Sequence, residues 1–69
     1  MSLYSTENQQ YDVISVLYHL LKGAQTTGKY VQDAERAGDG ELAQYFKDVQ
    51  EQYNILADRG RVLLSKKVS

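Results

Sequence analysis

The sequence predicts an all-α fold, an antiparallel two-helix hairpin that dimerises into a four-helix bundle. Three observations carry the prediction. Along two long segments, apolar and small residues recur at alternating steps of three and four, the spacing of one helical face. A Gly38-Asp39-Gly40 triplet separates the segments, and the chain contains no proline to interrupt either. With 69 residues and no cysteine, it buries only roughly 60% of its unfolded surface as a monomer and has no disulfide to compensate, so a second copy is the expected remedy.

In the first segment the seam reads Ile14, Leu17, Leu21, Ala24, Gly28 and Val31, flanked by Val13, Tyr18 and Leu20. The flanking residues widen the stripe beyond one line of contact. Thr6 suits the N-cap, with Gln9 reaching back to it, and Glu7 complements the positive helix end. Helix one is expected over residues 7–37, after a flexible N-terminus at 1–6. Gly23, Thr26, Thr27 and Gly28 crowd its middle, where each glycine costs about 1 kcal/mol relative to alanine. Either these small residues admit a bulky neighbour such as Tyr53, or the helix kinks near 23–28.

Gly38 suits the left-handed residue that ends helix one, and Asp39 suits the N-cap of the next. With a turn at 38–40, helix two is expected over 41–66, completing a hairpin of residues 7–67. Its seam reads Leu42, Phe46, Val49, Tyr53, Leu56, Gly60 and Leu63, flanked by Tyr45, Ala57 and Leu64. Glu41 in the first turn and Arg59, Arg61, Lys66 and Lys67 towards the end oppose the helix dipole. So short a connection makes the helices antiparallel neighbours.

Two such rods bury one seam each, and apolar residues are left over. Tyr18, Leu20, Tyr45, Leu56 and Leu64 are therefore the expected homodimer interface, since a large apolar surplus marks an association surface. Acidic residues gather at the turn (Asp33, Glu35, Asp39, Glu41) and basic ones at the open end of helix two. That favours a dimer with its turns at opposite ends, although exposed pairs contribute only about 0.5 kcal/mol each.

The formal net charge is −1, with both signs interspersed. Nucleic-acid binders present a clustered basic face instead, and anionic membrane surfaces also attract basic helices. No apolar run approaches the ~20 residues of a transmembrane helix, and no basic-then-apolar leader pattern is visible. A cytoplasmic location is expected. There is no phosphate-binding loop, and no nucleophile with a base and an orienting partner is recognisable, so no enzymatic activity is expected. The six tyrosines read as amphipathic fillers of core and interface.

A turn near residue 39 puts Gln25 level with Asn54 and Gly28 level with Glu51. Glu51 and Asn54 are three apart and share a helix face. Gln25, Glu51, Asn54 and Tyr53 are thus expected to form a buried polar layer at mid-height, matched by the same residues across a two-fold axis. Such layers fix register at some cost in stability. A small-ligand pocket in the space beside Ala24 and Gly28 is a further expectation for the same level.

Leu17-Tyr18-His19, Gly23-Ala24-Gln25 and the run Asp33-Ala34-Glu35-Arg36-Ala37-Gly38-Asp39-Gly40-Glu41-Leu42-Ala43 resemble the small bacterial ferritin-like helical hairpin proteins and domains. The resemblance covers residues 14–57. It implies a ferritin-like four-helix bundle, a class whose di-iron centres take one Glu from each of two helices and a Glu-x-x-His from each of the others. Here Gln25 stands at the helix-one carboxylate position, and the Glu-x-x-His position reads Glu51-Gln52-Tyr53-Asn54. Neutral amides are poor ligands for a hard cation. The expected function is a non-enzymatic dimeric module of structural or protein-interaction role, without cofactor. The alternative is a protein that binds or handles iron or another divalent metal, through Glu51 of each subunit with Glu35, Glu41 or His19 as further ligands. His19 falls off the seam, and Glu35 lies near the turn, where a helix-end salt bridge competes with metal.

Overall fold

A computed structural model describes residues 6–68 and, of these, the side chains of 8–66. Helix α1 runs Thr6–Arg36 and α2 runs Gly40–Val68, and they are the only regular elements among the described residues. These bounds lie one or two residues from the expected ones, the usual ambiguity at helix ends. The flexible N-terminus expected at 1–6 falls outside the described residues except for Thr6, which opens α1. The side chains invoked at Thr6, Glu7 and Lys67 fall outside them too.

The turn is built by local chemistry. Gly38 has φ 74°, a backbone state that a Cβ disfavours. Its N–H donates to the Glu35 carbonyl at 3.0 Å, and the Asp39 N–H donates to the Ala34 carbonyl at 2.9 Å. This pair of bonds is the Schellman ending, which satisfies carbonyls left open by the last helical turn. Asp39 then caps α2. Its carboxylate accepts from the Leu42 N–H at 3.0 Å, and its carbonyl accepts the first helical bond from Ala43 at 3.0 Å. The chain reverses within three residues, and the helices lie side by side in a rod of 52 × 19 × 15 Å.

The seam between them is made of small residues. Ala24, Thr27, Val31 and Ala34 are buried from α1, and Ala43 and Ala57 from α2. Around them Val13, Leu17, Leu20, Phe46, Gln50, Tyr53, Gly60 and Leu64 are half-buried. Both expected seams are thereby corrected by a rotation of each helix. In α1, Leu17, Ala24, Gly28 and Val31 face inward as expected, but Val13, Leu20, Thr27 and Ala34 join them while Ile14 and Leu21 are exposed. In α2, Phe46, Val49, Tyr53 and Gly60 are half-buried as expected, joined by Ala43, Gln50, Ala57 and Leu64 while Leu42, Leu56 and Leu63 are exposed. The physical reason is close approach. Alanines at 43 and 57 let two backbones pack tightly, where leucines in the same rows would hold them apart.

Gly23 shows how tight the approach is. A Cβ built there would lie 2.9–3.2 Å from ring atoms of Tyr53, so the missing side chain is what admits the tyrosine. Helix α1 runs unbroken through residues 23–28, and the small residues there accommodate a neighbour.

Candidate functional site

The inward seam leaves the larger aliphatic side chains outside. Among the described residues no large side chain is fully buried, whereas Leu42, Leu56 and Leu63 remain 41%, 42% and 49% exposed. Towards the open end the two helices leave a cleft of about 370 Å³. Val16 and Leu20 of α1 and Leu56 and Leu63 of α2 wall it, Gly60 lies between them, and the charged Asp12 and Arg59 stand at its edge.

Helical spacing extends this cleft into a face. Residues seven apart on a helix fall in one row. Leu42 and Val49 therefore share the side of Leu56 and Leu63, Tyr45 shares the side of Arg59, and Gly23 and Tyr30 share the side of Val16. The aromatic residues at the turn end of this face form a cluster. The Phe46 ring lies 5.6 Å from Tyr30 and 5.7 Å from Tyr45, tilted to both. The apolar face thus has a cleft at its open end and projecting rings at its turn end.

The opposite side is different in chemistry. There Lys47 pairs with Glu35 at 3.4 Å across the hairpin. The same side of α2 carries Glu51, Asn54, Asp58 and Arg61, with Arg61 bonded to Asp58. Apolar groups on that side are scattered among these charges, the exposed Tyr11, Ile14, Tyr18 and Leu21 of α1 and Ile55 and Val62 of α2.

The residues expected as a polar layer are not brought together inside the hairpin. Gln25, Glu51 and Asn54 are exposed, and Tyr53 is half-buried against Gly23. The register differs by one residue from the expected one, because Gly28 faces Gln50 and not Glu51. Gln50 supplies the polar bridge that does cross the seam, its side-chain amide donating to the Ala24 carbonyl at 3.0 Å. It also fills the space beside Gly28, so the room expected at mid-height is taken and the cleft lies nearer the open end. Every buried side-chain polar atom among the described residues has a partner.

The expected interface residues divide between the sides. Tyr45 and Leu56 are exposed on the apolar face, where Leu20 is half-buried in the cleft wall. Tyr18 is exposed on the other side, its ring 5.4 Å from that of the neighbouring His19. Leu64 is half-buried. Glu35, Glu51 and His19 stand apart, and no group of three or more acidic or histidine side chains able to hold a metal occurs among the described residues. No described helix is long and apolar enough to cross a membrane.

Val16 and Tyr30 belong to the apolar face but escape the inward-seam pattern. The signal that finds them is the Val16–Gly23–Tyr30 row, legible only once the inward rows are known. Compared with protein-family models, curated proteins and solved structures, the chain finds no match. What the face offers chemically is apolar burial, with aromatic knobs, a concave end and few charges.

Proposed function

We propose that this chain is a non-enzymatic, cytoplasmic module of structural or protein-interaction role, a hairpin that pairs with a second copy into a ferritin-like four-helix bundle. The observation behind this reading is the inward seam of alanines beside an outward row of leucines. A compact protein of 7.8 kDa exposes about 4,400 Å², and this chain exposes 5311 Å². Its radius of gyration is 15.8 Å, against about 11 Å for a compact domain of this length. The excess is that of an elongated rod whose outward leucine row has no cover, the kind of apolar surface that a second copy can bury.

Native mass spectrometry, before and after anaerobic loading with ferrous iron, tests the reading. A dimer that takes up no iron is expected. A monomer at micromolar concentration overturns self-association. A dimer that binds a fixed number of metal ions, lost in Glu51→Ala, overturns the metal-free module and leaves the bundle standing.

A further inference from the structure

The geometry points to a specific self-complementary interface: the cleft at the open end of each hairpin receives the turn-end aromatic residues, Tyr30 and Tyr45, of a second copy packed antiparallel on the same face. The inference rests on the self-association proposed above and adds the face, the orientation and the register.

The face follows from composition. On α2 the row Leu42, Val49, Leu56 and Leu63 runs the length of the helix without a charged member, whereas the opposite side carries Lys47, Glu51, Asn54, Asp58 and Arg61. Burying the second set would desolvate charges at substantial cost. The first buries Leu42, Leu56 and Leu63 together with Tyr30 and Tyr45.

Orientation follows from shape and charge. The face is concave at one end and carries projecting rings at the other, with Tyr45 at 61% and Tyr30 at 47% exposure. Turns at the same end would set cleft against cleft and ring against ring. Turns at opposite ends set each ring cluster over the other copy's cleft, and a two-fold axis does this twice. The same arrangement brings the acidic turn end of one copy, with Asp39 and Glu41, towards Arg59 and Lys66 at the open end of the other.

Register follows from the row itself. An axis crossing between Gln52 and Tyr53 sets Leu42 against Leu63 of the second copy and Val49 against Leu56. It also sets Tyr45 over the Gly60 of the second copy, where the absent side chain leaves room for a ring, and brings Arg59 beside the Phe46 and Tyr45 rings for cation–π contact. On α1 the axis falls beside Gly23 and Thr26, whose small side chains permit close approach. Glu51 and Asn54 stay on the outer surface.

Disulfide trapping is clean here because the chain has no cysteine of its own. Gln52→Cys, close to the axis on the apolar face, is expected to link two copies under mild oxidation, and Asn54→Cys, at the same level on the polar side, is not. In unlinked protein, Gly60→Leu, which fills the cleft, and Tyr45→Ala, which removes the ring, should each raise the dimer dissociation constant at least about tenfold. Circular dichroism at a concentration that keeps each dimeric should show helix content retained. A dimer that links through Asn54→Cys, or fails to link through Gln52→Cys, overturns this face and register while self-association stands. A dimer that links through Gln52→Cys yet tolerates both Gly60→Leu and Tyr45→Ala overturns the ring-in-cleft contact. A monomer overturns both proposals.

Discussion

Gly23 and Gly60 both sit inside helices, yet their surroundings give them opposite roles. At Gly60 a new Cβ would meet only the Leu17 side chain, at an ordinary 3.8 Å. Gly60→Ala should therefore gain the helix-propensity difference and stabilise the hairpin by about 1 kcal/mol. At Gly23 the new Cβ would lie 2.9 Å from the Tyr53 ring. There the same propensity gain is outweighed by displacement of a packed ring, and Gly23→Ala should cost roughly 1 kcal/mol net. Urea unfolding midpoints of the two variants should move in opposite directions. Both are read in a Leu56→Glu background that keeps the chain monomeric, so that no Tyr45 ring of a second copy meets the new Cβ at 60. If both rise, Tyr53 is not packed against α1 as described. Gly28 is a third case. Its Cβ would meet the Gln50 amide at 2.9 Å, so Gly28→Leu should expel that side chain, break its bond to Ala24 and lower the melting temperature.

At the scale of the element, each helix is bounded by interactions spanning at most five residues. Asp39→Ala removes the acceptor for the Leu42 N–H and should cost about 1 kcal/mol. Gly38→Ala forces a Cβ into the left-handed state and should cost roughly 1–2 kcal/mol. Asparagine at 38, which tolerates that state better, should cost less than alanine does. The rotation of α2 has its own test. Ala57 is fully buried against α1, so Ala57→Leu should overpack the seam and cost about 1–3 kcal/mol. Were α2 turned so that Leu56 faced inward, a leucine at 57 would be tolerated. Thermal melts distinguish the two orientations directly.

At the scale of the molecule, the hairpin alone has little core. Among the described residues, those buried are alanines, a valine and a threonine, which remove little apolar surface per residue from water. Stability coupled to association should therefore show as a melting temperature that rises with protein concentration. Leu56→Glu, on the exposed apolar row, should abolish that dependence and lower the melting temperature to the monomer's value. The charges at the two ends contribute little by comparison. Raising salt from low to physiological strength should leave the dimer intact, because exposed ion pairs of this kind are weak and screened.

What the sequence by itself determined is what is decided locally. The existence of both helices, the reversal at residues 38–40, the left-handed Gly38 and the Asp39 cap all follow from side chains acting on backbone a few positions away. A missing Cβ or a capping carboxylate works the same way in any tertiary setting. Tertiary structure decided which side of each helix turns inward. On α2 the candidate rows beside the Phe46–Tyr53–Gly60 line, one of leucines and one of alanines, lie only about 40–60° to either side of it, given the 3.6-residue turn. Hydrophobicity favours the leucines, and close packing between two backbones favours the alanines. Packing won, because the partner helix brings Gly23 within reach of the Tyr53 ring and leaves no room for a leucine layer. The cleft, the knobs and the outward leucine row are consequences of that choice, and so became legible only with both helices in place.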